Sequence, residues 1–108
     1  DAITAISGSG PAYVFYLIEA LEEAAVHLGF DAATAKMLAL ETFAGALALA
    51  ESSPESVATL RARVTSPGGT TERAIASFDA AQLKAVIGVG VNACQARSVE
   101  LGELLAKG

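Results

Sequence analysis

Apolar residues recur at helical spacing along almost the whole chain, and no stretch alternates as a half-buried strand would. From Ala12 onward, Val14, Leu17, Ile18, Leu21, Ala25 and Leu28 fall three or four apart, which predicts a helix of about five turns. Pro11 stands where a first helical residue belongs, with Gly10 or Ser9 as its cap and Gly29 closing the run. Tyr13, Tyr16, Ala20 and Ala24 form a second stripe beside the first, leaving Glu19, Glu22, Glu23 and His27 for water. Asp31 is placed to cap a second helix over 32–50, whose small residues, among them Ala35, Ala39 and Gly45, let neighbouring backbones come close. Ser53-Pro54-Glu55 reads as the start of a short third helix, with Ser53 as its cap, Val57, Leu60 and Val64 inward and Arg61 and Arg63 outward. Residues 71–78 give about two further turns. Asp79 with Gln82 three residues on reads as a capping box that launches the longest helix, over 80–105. Its seam is Ile87, Val91, Cys94, Ser98, Leu101 and Leu105, with Ala85, Val89, Ala93 and Ala96 on another face. Residues 1–7 read equally as extended or as a helical turn. The pattern predicts an all-α domain, a bundle of five principal helices.

Composition sharpens this picture in one respect. Apolar residues make up 53% of the 108 residues and charged ones 18%, against typical values of about 45–50% and about 25%. A single small domain hides so much apolar surface poorly, so part of it is expected to be covered by another chain or domain. The net charge of -5, with seven scattered Lys and Arg, gives no basic stripe and excludes nucleic acid as an expected partner. Cys94 is the only cysteine and His27 the only histidine. No internal disulfide is possible, neither residue has a metal-ligand companion, and the expected setting is a reducing cytoplasm. The N-terminus shows no signal-peptide pattern, and the nearly apolar run 37–50 is too short to span a bilayer and is interrupted by Glu41. A soluble domain without a membrane role is expected.

The candidate chemistry lies in Val64-Thr65-Ser66-Pro67-Gly68-Gly69-Thr70-Thr71. Pro and two Gly break regular structure, and Thr70, Thr71 and Glu72 restart a helix, whose first N–H groups are unpaired and sit at the positive end of the macrodipole. Gly68 and Gly69 allow a small anion to approach the backbone, and Ser66, Thr70 and Thr71 add hydroxyls. An ordinary helix cap explains the same residues without any ligand. Gly8-Ser9-Gly10-Pro11-Ala12-Tyr13 shares two glycines with a dinucleotide fingerprint, but the third is absent and no strand precedes it. The Gly-Gly-Thr-Thr run likewise lacks the Gly-Lys-Ser/Thr of a nucleotide P-loop.

Thr4-Ala5-Ile6-Ser7-Gly8-Ser9-Gly10-Pro11-Ala12-Tyr13 followed at this separation by Val64-Thr65-Ser66-Pro67-Gly68-Gly69-Thr70-Thr71 resembles the C-terminal domain of pyrroline-5-carboxylate reductase, and the likeness covers the whole chain. The resemblance implies that residues 1–108 are a helical dimerisation and substrate-binding domain forming an interlocked homodimer, possible further assembly being left open. It also implies an N-terminal Rossmann domain, outside this chain, that binds NADPH or NADH. The whole enzyme of that family reduces the imine 1-pyrroline-5-carboxylate to L-proline in proline biosynthesis, and the domain alone is expected to be inactive. By resemblance, Ser66, Gly68, Gly69, Thr70 and Thr71 bind the substrate, with Ser66 and the N–H groups of Gly69 and Thr70 on its carboxylate and the Thr71 hydroxyl, the catalytic assignment, on the ring nitrogen. Gly10 and Pro11 either border the nicotinamide or simply start a helix. Two other readings remain open at this stage: a helical homodimerisation module without a catalytic role, and the C-terminal domain of another Rossmann-type oxidoreductase. A β-hydroxyacid dehydrogenase would carry a catalytic Lys on the first helix, and this helix has none.

Overall fold

In the computed structural model, which describes residues 2–107, the chain is helical throughout and no strand occurs among the described residues. A short π-helix, Thr4–Gly8, is followed by α1 (Gly10–His27), α2 (Ala32–Ser52), α3 (Val57–Arg63), α4 (Thr70–Ala80) and α5 (Leu83–Lys107). The undecided N-terminal segment is thus helical from Ala2, while Asp1 lies outside the described residues. The five principal helices are those the periodicity predicts.

Local rules set most boundaries. Gly29 adopts φ +107° and its N–H donates to Val26 at 2.9 Å, while the Phe30 N–H reaches back to Ala25 at 3.2 Å, a Schellman closure of α1. The Asp31 carboxylate accepts the Thr34 N–H at 2.8 Å, and this bond holds its pKa below the usual carboxylate range. Two boundaries differ from expectation. The Ser53 hydroxyl does not cap α3: it accepts the Glu55 N–H at 3.2 Å in a tight local turn. Ser56 is the cap instead, accepting the Thr59 N–H at 3.1 Å, so α3 begins later. Asp79 does not cap the last helix either, because α4 continues through it to Ala80. The chain turns at Gln82, a non-glycine residue at φ 57°, whose N–H donates to the Asp79 carbonyl at 3.0 Å. That break bends α5 by 50° from α4.

Two compact units are distinguished, residues 1–13 with 73–108, and residues 14–72. In the first, the π-helix lies against α5, burying Ala5. On α5, Val91, Cys94 and Ser98 of the expected seam are half-buried, whereas Ile87, Leu101 and Leu105 remain exposed. In the second unit the buried side chains are Ala35 and Ala39, four apart on one face of α2. No large side chain is fully buried in either unit among the described residues. The accessible surface is 8204 Å², whereas a folded monomer of this mass would expose about 5,600 Å². Helix α2 is also longer than its apolar run suggested: by length and a mean hydropathy of 1.3 it suits a bilayer as well as a protein interior.

The cap assignments are checked by paired variants. Ser56→Ala should lower stability by about 1 kcal/mol and Ser53→Ala by less than half of that, read as shifts of the denaturant midpoint at unchanged m-value.

Candidate functional site

The loop between α3 and α4 lies wholly in the second unit. Helix α3 ends when the Thr65 N–H and hydroxyl turn back on the Ala62 and Arg61 carbonyls, at 3.1 and 2.6 Å. The chain then reverses over Ser66-Pro67-Gly68-Gly69, with the Gly69 N–H donating to the Ser66 carbonyl at 2.9 Å and Gly68 at φ +72°. Proline at the second position and a positive φ at the third are the features of a type II turn. Gly68 is required for its backbone angle. Gly69 is required for space, since a Cβ there would stand 3.1 Å from the Ser66 carbonyl oxygen. The Glu72 Oε1 accepts the Gly68 N–H at 3.1 Å, closing the turn from the helix side.

This arrangement redistributes the donors. The Gly69 N–H, expected to hold a carboxylate, is engaged by Ser66 inside the turn, and the Gly68 N–H is engaged by Glu72. The remaining backbone donors are those of Thr70, Thr71 and Glu72, which lie in the first turn of α4 where no intrahelical carbonyl can reach them. Beside them stand the hydroxyls of Ser66, Thr70 and Thr71, all three residues exposed. With the Glu72 N–H these make up to six neutral donors; of the charged neighbours, Arg63 pairs with Glu55, and Glu72 and the exposed Arg73 follow on α4. Such a cluster suits a small carboxylate. By contrast, the 270 Å³ cavity beside α1 and α2 is lined by Glu19, Glu22, Glu23 and His27, and three carboxylates oppose an anionic ligand.

Gly10 and Pro11 belong to the other unit, at the junction of the π-helix and α1. The Ser9 N–H donates to Thr4 at 2.8 Å and the Ala12 N–H to Ser9 at 3.0 Å, while Pro11 has no N–H. This backbone can border a flat ring but makes no phosphate cradle. The same junction holds a cluster that periodicity did not reveal: the Cys94 thiol donates to the Ser9 Oγ at 3.2 Å, and the Tyr13 hydroxyl donates to the Ala5 carbonyl at 2.6 Å. Hydrogen bonding to Ser9 and then Tyr13 holds the thiol below its ordinary pKa, and the contact with Cys94 together with desolvation raises the phenol.

An all-α domain whose large apolar residues lie outside, and whose polar turn is built from backbone and hydroxyls, is of the class completed by further protein. The chain belongs to the pyrroline-5-carboxylate reductase dimerisation family, whose model matches residues 1–101. The pyrroline-5-carboxylate reductase of Pseudomonas aeruginosa is 50% identical over 107 residues, 99% of this chain and 39% of that protein. The Coxiella burnetii pyrroline-5-carboxylate reductase structure superposes with a TM-score of 0.89 at 45% identity, over 93% of this chain and 37% of that one. The NADP-bound Plasmodium falciparum pyrroline carboxylate reductase gives a TM-score of 0.91 at 35% identity, over 94% and 41%. The chain thus spans about two fifths of the length of its relatives.

The backbone requirement at Gly68 has a direct check. Gly68→Ala should destabilise the domain by about 1–2 kcal/mol, because an L-residue is strained at that φ. A melting temperature equal to the parent's would show that the turn does not hold this conformation.

Proposed function

We propose that this chain is the C-terminal domain of a soluble, cytoplasmic pyrroline-5-carboxylate reductase, acting with an N-terminal Rossmann domain as an NAD(P)H-dependent imine reductase in proline synthesis. The observation that carries the reading is the turn at 66–71, where backbone N–H groups and hydroxyls gather at the start of α4. Its size and polarity suit the single carboxylate of 1-pyrroline-5-carboxylate.

In this reading Ser66 and the Thr70 and Thr71 N–H groups hold the carboxylate, Gly68 and Gly69 shape the turn, and the Thr71 hydroxyl hydrogen-bonds the ring nitrogen. The nicotinamide cofactor supplies the hydride when bound, and Gly10 and Pro11 are suited to border its ring only. The turn fixes the imine by its carboxylate, so the ring carbon is presented in one orientation. As the planar imine becomes an amine, the nitrogen changes its hydrogen-bonding character, and a hydroxyl can follow as donor or acceptor. Thr71→Val keeps the β-branched shape and removes that partner. It should lower kcat/KM by about 30- to 1,000-fold, the value of one preorganised hydrogen bond in a dry site. Ser66→Ala should chiefly raise KM, because the carboxylate is bound alike in ground and transition states. Steady-state kinetics of the full-length enzyme, with melting temperatures unchanged, checks both; Thr71→Val within about threefold of the parent would remove the catalytic role.

The same reading makes the domain an interlocked homodimer. Phe15 and Tyr16 on α1, Leu47 on α2 and Val86 and Val89 on α5 are each at least 60% exposed. At about 25 cal/mol per Å², covering on the order of 1,000 Å² of such surface is worth tens of kcal/mol as an upper bound. Sedimentation of the isolated chain at low micromolar concentration should give a dimer. A well-folded monomer would contradict it.

A further inference from the structure

Glu72 is the one side chain that grips the turn and has no part in the chemistry above. In an ordinary capping box the carboxylate of the third helical residue returns to the N–H of the cap residue. Here the cap position is Gly69, whose N–H is already engaged by Ser66, and Glu72 reaches one residue further back, to the Gly68 N–H at 3.1 Å. Gly68 is the residue at φ +72°. Its orientation decides where the following Gly69, Thr70 and Thr71 point. Two hydrogen bonds therefore brace the turn: Gly69 to Ser66 closes it, and Gly68 to Glu72 ties it to α4. Ser66, Pro67, Gly68 and Glu72 are all exposed, so packing does little to hold them and these two bonds carry the conformation.

The geometry points to Glu72 as the positioning residue of the carboxylate cradle, accepting the Gly68 N–H so that Ser66 and the Thr70 and Thr71 N–H groups converge on one substrate carboxylate. This inference rests on the function proposed above. Glu72 itself is no ligand for that substrate, since like charges repel. What serves binding is its acceptor atom, while its charge opposes binding. Glutamine keeps the acceptor and drops the charge; alanine drops both.

Steady-state kinetics of the full-length enzyme, varying imine and cofactor separately, tests the assignment with Glu72→Gln and Glu72→Ala. Loss of one bracing bond in Glu72→Ala should raise the KM for the imine by about 5- to 20-fold, with kcat within about twofold and the cofactor KM unchanged. Glu72→Gln should keep the imine KM at or below the parent's. Both variants lose the same charge at the helix N-terminus, so a general effect on α4 would impair them equally. Parental KM in Glu72→Ala, equal impairment in Glu72→Gln, or a parallel loss on the cofactor side would overturn the inference alone. A parent enzyme that does not reduce the imine would overturn the proposed function and the inference with it.

Discussion

Nearly every feature of this chain follows from an apolar surplus that its own helices leave uncovered. Burial of apolar area is the main favourable term in folding, and among the described residues the buried apolar side chains are three alanines. Alanine contributes little area, so the described fold cannot be held by its own core. The leucines, valines and aromatics of α1, α2 and α5 must lose water against further protein. The same composition could suit a bilayer at α2, but Lys36 and Glu41 stand within that helix, and the family to which the chain belongs is a dimerisation family.

Helices finished elsewhere by packing place a burden on their ends. Where the core is thin, the hydrogen bonds of caps and turns define the chain path, and the described residues show them at almost every junction: Schellman closure at Gly29, carboxylate cap at Asp31, hydroxyl cap at Ser56, and the braced turn at Ser66–Gly69. The last of these differs from the others. The others engage their polar groups internally, while the α3–α4 turn engages Gly68 and Gly69, and the next N–H groups begin α4 beyond the reach of an intrahelical carbonyl.

Signals that depend on neighbours within four residues were legible in the sequence. Gly29 and Asp31 act where the pattern puts them, Pro11 falls one place later, second in α1 after Gly10, and the turn at 66–69 follows from Pro-Gly-Gly itself. Errors arose where two equally local options compete. Ser53 and Ser56 both satisfy the rule for a cap, and Pro54 favours the first reading, yet the Ser53 hydroxyl is more readily satisfied by the turn at Glu55. At 79–82 the capping-box spacing is present, but α4 overruns Asp79 and a strained Gln82 makes the corner. Long-range pairings were illegible: Ser9 and Cys94 are 85 residues apart, and only the fold of the first unit brings the thiol to the hydroxyl. In the turn at 66–71 the division of donors was not legible, because whether Gly69 offers its N–H outward depends on the ψ and φ of the turn.

That division also bears on the proposed carboxylate site, to which neutral groups rather than an arginine are assigned. On the proposed reading the substrate carries a carboxylate and a ring nitrogen that must bear a proton as hydride arrives. A guanidinium placed about 6 Å from that nitrogen would oppose its positive charge by roughly 3 kcal/mol at an effective dielectric of 20. Backbone N–H groups and hydroxyls would, on that reading, act through short-range dipoles whose effect falls off quickly with distance, orienting the carboxylate and leaving the iminium charge nearly untouched. The left-handed Gly68, and Gly69 with no Cβ to press on the Ser66 carbonyl oxygen, keep the turn at 66–69 tight.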